Sequence, residues 1–156
     1  MDAIETEVVI VIVPAMGVAA TYYRPLVERL EDIGINCVIR DLRGQGEFGP
    51  PPGRTNDFGF TERVGDLADL LAFTARVRPG APIYVLGHSL GSHIGTLYTA
   101  FGERAGGPPL AGLITIAADS SYYSVFPTGG RKVLALNPVA DALGRVLGRP
   151  VNHGTL

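Results

Sequence analysis

The residues with the most chemical promise are Gly87-His88-Ser89-Leu90-Gly91, which fit a G-x-S-x-G pattern. A serine hydroxyl is a weak nucleophile, so a chain that uses one must lift it clear of the backbone and surround it with helpful groups. A sharp turn from strand into helix does the lifting, at the cost of crowding the strand against the helix. Gly87 and Gly91 relieve that crowding because they carry no Cβ. With 21 glycines in the chain the pattern alone is unspecific, and its flanks decide. Ile83-Tyr84-Val85-Leu86 leads in as an apolar strand and a helical pattern leaves from Leu90, as such a turn requires.

Attack on a carbonyl leaves negative charge on oxygen, which two backbone N–H groups must face. Leu90, directly after the serine at a helix N-terminus, offers one of them. The loop after the first strand, Pro14-Ala15-Met16-Gly17, offers the other, since the small residues beside Met16 let its amide approach a substrate. This chemistry needs no metal and no organic cofactor, and its substrate is a small acyl compound. Asp119, at the end of the fourth apolar run, is a candidate acid partner, although an Asp there is most often a turn or cap residue. His153 is a candidate base in a polar tail. His93 reads as a solvated or core-lining histidine. His88 reads as a packing residue, because side chains on either side of the turn diverge.

The elements that must hold these residues follow from the apolar pattern. Residues 8–13 are continuously apolar and β-branched, the mark of a parallel strand covered on both faces. Residues 22–33 carry Leu26, Val27, Leu30 and Ile33 at helical spacing, with Gly34 suited to a C-cap. A second strand is expected over 36–42 and a long Gly- and Pro-rich loop over 43–60. A helix capped by Thr61 follows, with its stripe on Val64, Leu67, Ala68, Leu71 and Ala75. The third strand covers 83–86, a helix 90–104, and a fourth buried strand 113–118. Strand and helix alternate throughout, so the fold class is α/β, a mostly parallel sheet with helices on both faces. Beyond Asp119 one more helix is expected, with Asn137 as N-cap and Val139, Ala142, Leu143, Val146 and Leu147 on one face. Tyr22, Tyr23, Tyr122 and Tyr123 read as buried rings before pocket-lining ones.

Composition narrows the function. The chain has 156 residues, 46% of them hydrophobic, enough for one packed domain. Its 15 acidic and 13 basic residues nearly cancel and no run of Lys or Arg occurs, which argues against nucleic acid as a partner. Cys37 stands alone, so neither an internal disulfide nor a cysteine-based metal cluster can form. Acidic Asp2, Glu5 and Glu7 precede the first apolar run and no segment reaches the ~20 residues of a membrane span. A cytoplasmic protein is the expectation.

Three segments together carry a family resemblance: Pro14-Ala15-Met16, then Asp41-Leu42-Arg43-Gly44-Gln45-Gly46, then the G-x-S-x-G turn. Across residues 8–118 the chain resembles the α/β-hydrolase superfamily, and more narrowly its serine aminopeptidase and monoacylglycerol-lipase-like branch. The resemblance implies Ser89 as nucleophile, with Met16 and Leu90 as oxyanion donors. Met16 stands where many relatives follow a His-Gly pair, and that histidine is absent here. Asp41 and Arg43 read as residues that fix the loop over the site.

In this superfamily the triad runs Ser, then Asp or Glu, then His, the last two on later loops. A complete domain commonly needs about 200 to 250 residues. Residues 1–119 are therefore expected to form the N-terminal half of the core, truncated after the strand that follows the nucleophile helix. Residues 120–156 are then a loop and helix that begin a cap or the remainder of the domain. The function implied is a serine hydrolase of carboxylic esters, thioesters or small amides, active only with the missing half. The alternatives are an acyltransferase with the same machinery and a non-catalytic member that binds a small molecule.

Overall fold

Five β-branched residues in succession, Val9-Ile10-Val11-Ile12-Val13, form strand β1 (Val9–Val13), and every one of them is buried. The computed structural model describes residues 7–53, 55–104 and 106–118, and within these β1 lies between β2 (Asn36–Ile39) and β3 (Ile83–His88), with β4 (Gly112–Ile116) beyond β3. All pairings are parallel. Parallel strands need crossovers, and three helices supply them: α1 (Arg24–Glu31), α2 (Phe60–Val77) and α3 (Leu90–Leu97).

Alternate side chains of β1 enter two different cores, as the pleat demands. Val11 and Val13 pack with Leu67 and Leu71 of α2 and with Ile94 of α3. Ile10 and Ile12 pack with Tyr23, and with Val27 and Leu30 of α1. Helices therefore cover both faces, and the continuous apolar run of β1 is explained. The strand order β2-β1-β3-β4 sends the chain one way after β1 and the other way after β3. Such a reversal opens a crevice outside the carboxyl ends of the two strands, the usual place for a site in sheets of this kind.

Several boundaries differ from the sequence reading, each for a local reason. A 3-10 turn (Ala20–Tyr23) precedes α1, which begins at Arg24 with Pro25 in its first turn, where a missing N–H costs nothing. Strand β2 stops at Ile39, and Leu42 turns back into the core. The N-cap of α2 is Gly59, not Thr61; the Gly59 N–H donates to the Glu62 carboxylate at 2.7 Å. After Leu97 the helix widens into a π-helical turn (Tyr98–Gly102). There the buried Tyr98 ring lies against Gly102 and Gly107, and its hydroxyl donates to the Pro108 carbonyl at 2.7 Å. Strand β4 forms, but it is not buried as β1 and β3 are: among the described residues only β3 flanks it, and Ile114 and Ile116 are exposed. Asp119, Tyr122, Tyr123, His153 and the apolar stripe expected over 139–147 lie outside the described residues.

Candidate active site

Ser89 joins β3 to α3 with φ 51° and ψ −113°. Among the described residues it shares positive φ outside glycine only with Ala117. Holding a residue with a Cβ in such a region costs about 1–3 kcal/mol, so the surroundings must over-determine it. They do. The Ser89 N–H donates to the Ile116 carbonyl at 2.8 Å, and the buried Ser92 hydroxyl lies 2.7 Å from the Gly87 carbonyl and 3.2 Å from that of Ile116. A Cβ on Gly87 would stand 2.5 Å from the Gly91 carbonyl oxygen, and one on Gly91 would overlap the Val13 carbonyl oxygen. The two glycines thus let α3 leave the sheet at a spacing no other residue permits, with its first turn pressed on the end of β1.

The loop after β1 is built as a turn. The Ala15 carbonyl accepts the Val18 N–H at 3.2 Å, and Gly17, the third residue of that turn, has φ 75° as a type II geometry requires. Side chains from elsewhere hold it. The Gln45 amide accepts the Gly17 N–H at 2.6 Å and donates to the Ala15 carbonyl at 3.4 Å. Asp41 accepts the Ala20 N–H at 2.7 Å and the Glu47 N–H at 3.3 Å. Arg43 forms a two-pronged ion pair with Asp66 of α2, at 2.7 and 2.5 Å. The Asp-x-Arg-Gly-x-Gly segment is therefore scaffolding that ties the loop after β2 to the loop after β1 and to α2.

Tyr23 braces the loop from the other face. Its hydroxyl accepts the N–H of buried Ala15 at 2.9 Å and lies 2.8 Å from Nδ1 of His88. Burial pushes the Tyr23 phenol above the usual tyrosine range, by more than the Ala15 amide pulls it down. The phenol thus keeps its proton while it bridges the Ala15 amide and the His88 ring. Tyr23→Phe would strand the Ala15 N–H in a buried position. We expect it to lower stability by about 1–3 kcal/mol, read as a fall in urea midpoint at unchanged slope.

Met16 sits half-exposed at the head of this turn, and Leu90 is buried as the first residue of α3. Neither backbone N–H meets an acceptor among the described residues. A Cβ on Gly91 would stand 2.9 Å from the Pro14 carbonyl oxygen, so the segments bearing Met16 and Leu90 leave the paired ends of β1 and β3 close together, on either side of half-buried Ser89. No hydrogen bond joins the Ser89 hydroxyl to a histidine among the described residues; His88 is engaged by Tyr23, and His93 lies on the first turns of α3. Asp119 and His153 lie outside the described residues. Within the described residues no group of three His, Cys, Asp or Glu side chains could hold a metal ion, and no helix is long and apolar enough to cross a membrane. Two features escaped the sequence reading: the role of Gln45, whose only signal was a polar residue between two glycines, and the partnership of His88 with Tyr23. Tyr22, expected to be buried like Tyr23, is 70% exposed.

The family model described as serine aminopeptidase, S33, matches residues 4–153. No curated protein sequence matches the chain significantly. Among solved structures, a thermostable carboxyl esterase from Bacillus coagulans superposes with a TM-score of 0.65 at 22% identity, over 86% of this chain and 42% of the esterase. MenH from S. aureus gives 0.63 at 20% identity, over 93% and 48%. The RedJ thioesterase of Streptomyces coelicolor gives 0.56 at 18%, over 90% and 53%. The chain thus spans about half the length of these structures, and the likeness establishes the α/β-hydrolase fold. With a family model covering nearly its whole length, and a sheet built to that fold's order, this chain belongs to the serine aminopeptidase S33 family of α/β-hydrolases.

Proposed function

We propose that Ser89 is the nucleophile of a hydrolase acting on carboxylic esters, thioesters or small amides, in the complete polypeptide of which this chain spans the nucleophile-bearing part. The observation that carries the reading is the Ser89 backbone itself. A left-handed serine, locked between two glycines that cannot be enlarged, is a costly device that a binding pocket has no use for.

In this mechanism the Ser89 oxygen attacks the acyl carbon while its proton passes to a general base. The carbonyl oxygen becomes an oxyanion facing the N–H groups of Met16 and Leu90, the latter aided by the positive end of α3. Collapse expels the alcohol, thiol or amine with a proton from the base, leaving acyl-Ser89. Water then repeats the sequence and releases the acid. The base and its carboxylate partner are assigned to loops C-terminal of Ala118.

A fluorophosphonate probe tests this. Incubated with the natural full-length polypeptide and followed by peptide mass spectrometry, it should place the phosphonyl group on Ser89. A folded protein that remains unlabelled, or one labelled on another serine, would overturn the assignment.

A further inference from the structure

We propose that Gln45 is a positioning residue that aims the Met16 N–H at the developing oxyanion; this rests on the acyl-serine reading of Ser89 given above. The Ala15 carbonyl and the Met16 N–H belong to one planar trans peptide, so they point in opposite directions and turn together. Whatever holds the carbonyl aims the N–H. That carbonyl receives two donors, the Val18 N–H at 3.2 Å and Nε2 of Gln45 at 3.4 Å. The other end of the same amide, Oε1, takes the N–H of Gly17 at 2.6 Å. One side chain therefore grips the peptide before Met16 and the peptide after it. The orientation of the amide is unambiguous, since a backbone N–H needs an oxygen and a carbonyl needs an N–H donor.

The grip matters because of Gly17. Glycine at the third position of a turn has several peptide orientations within reach, and a donor that rocks through a fraction of an ångström loses much of its value to the transition state. The base of the clamp is firm. The Gln45 N–H donates to the Leu42 carbonyl at 2.9 Å, its carbonyl accepts the Phe48 N–H at 3.1 Å, and the neighbouring Asp41 and Arg43 are fixed as described above. Only a side chain with an acceptor and a donor at one tip, on a stem of this length, makes both contacts.

The test compares wild type, Gln45→Glu and Gln45→Leu in the natural full-length polypeptide. Rates of fluorophosphonate labelling at Ser89, kinetics on p-nitrophenyl acetate and urea midpoints are measured for each. Glutamate keeps the shape and the acceptor for Gly17 but has no donor for Ala15, so it isolates the contact that orients the Met16 peptide. Both variants should label and turn over about 10- to 100-fold more slowly, with KM within about twofold and the midpoint of the Glu variant unchanged. A Glu variant with wild-type labelling rate and kcat, beside a wild type labelled at Ser89, would overturn the proposal. So would a loss carried wholly by KM, or one that merely tracks a lowered urea midpoint. Should the Leu variant fail to fold, the near-isosteric Glu variant decides. Absence of label at Ser89 in the wild type would instead remove the acyl-serine reading, and this inference with it.

Discussion

In the natural full-length polypeptide, Ser89→Ala is expected to cut turnover of an activated ester by about 10⁶-fold and to abolish fluorophosphonate labelling, while a non-reactive substrate analogue binds as before. In the proposed mechanism the loss is large because the hydroxyl is the atom that forms the new bond, and the residual rate is what the two proposed oxyanion donors retain without it. The substitution should leave stability nearly unchanged, since alanine inherits the same backbone strain at φ 51°. Ser89→Gly separates the two effects. It should be equally inactive yet more stable by about 1 kcal/mol, because glycine adopts that conformation freely. Single-turnover kinetics and urea denaturation check both halves. Retention of more than a few per cent of wild-type turnover in either variant would place the nucleophile elsewhere.

Gly91→Ala should destabilise the fold by more than about 3 kcal/mol, or prevent folding altogether. The added methyl would overlap the Val13 carbonyl oxygen and stand 2.7 Å from the Val13 carbonyl carbon and 2.9 Å from the Pro14 oxygen. These are backbone atoms of the last residue of β1, a strand whose five residues are all buried, and of the residue after it, so α3 has no soft neighbour to push aside. Gly65→Ala serves as the internal control. A methyl there meets nothing within 4 Å, and in the middle of α2 it should stabilise by up to about 1 kcal/mol. Urea midpoints of the two variants should move in opposite directions. A Gly91→Ala protein within about 1 kcal/mol of wild type would mean that α3 can shift away from β1, and that the close approach is not what fixes Ser89.

The parts of the fold legible in the sequence were those written in local pattern. Val9 to Val13 could be read as a doubly covered strand because unbroken β-branching has few other uses, and the glycines around Ser89 could be read because a strained turn needs them. What escaped depends on partners far along the chain. Tyr22 and Tyr23 are adjacent and chemically identical, yet one is 70% exposed and the other 6%, because only Tyr23 packs with Ile10, Ile12 and Leu86 and takes the Ala15 N–H. His88 was read as a packing residue, and its hydrogen-bond partner, Tyr23, lies 65 residues away. Gln45 holds an unspecified position in the Asp-x-Arg-Gly-x-Gly segment, and its meaning appears only once the carboxyl ends of β1 and β2 are neighbours. The exposure of Ile114 and Ile116 likewise follows from the place of β4 in the sheet, which apolar content cannot reveal.

The pairing of β1 with β3 has a consequence for biosynthesis. Val9 waits for Ile83, about 70 residues later, so at roughly 5–20 residues per second the nascent β1 has one edge unsatisfied for about 4 to 14 seconds. Through that interval a ribosome displays a short, uncharged, β-branched segment of the kind that nucleates intermolecular stacking. Glu5 and Glu7 ahead of it and Pro14 behind it bracket the segment as gatekeepers, and their replacement is expected to reduce soluble yield in cells more than it changes the melting of protein already folded.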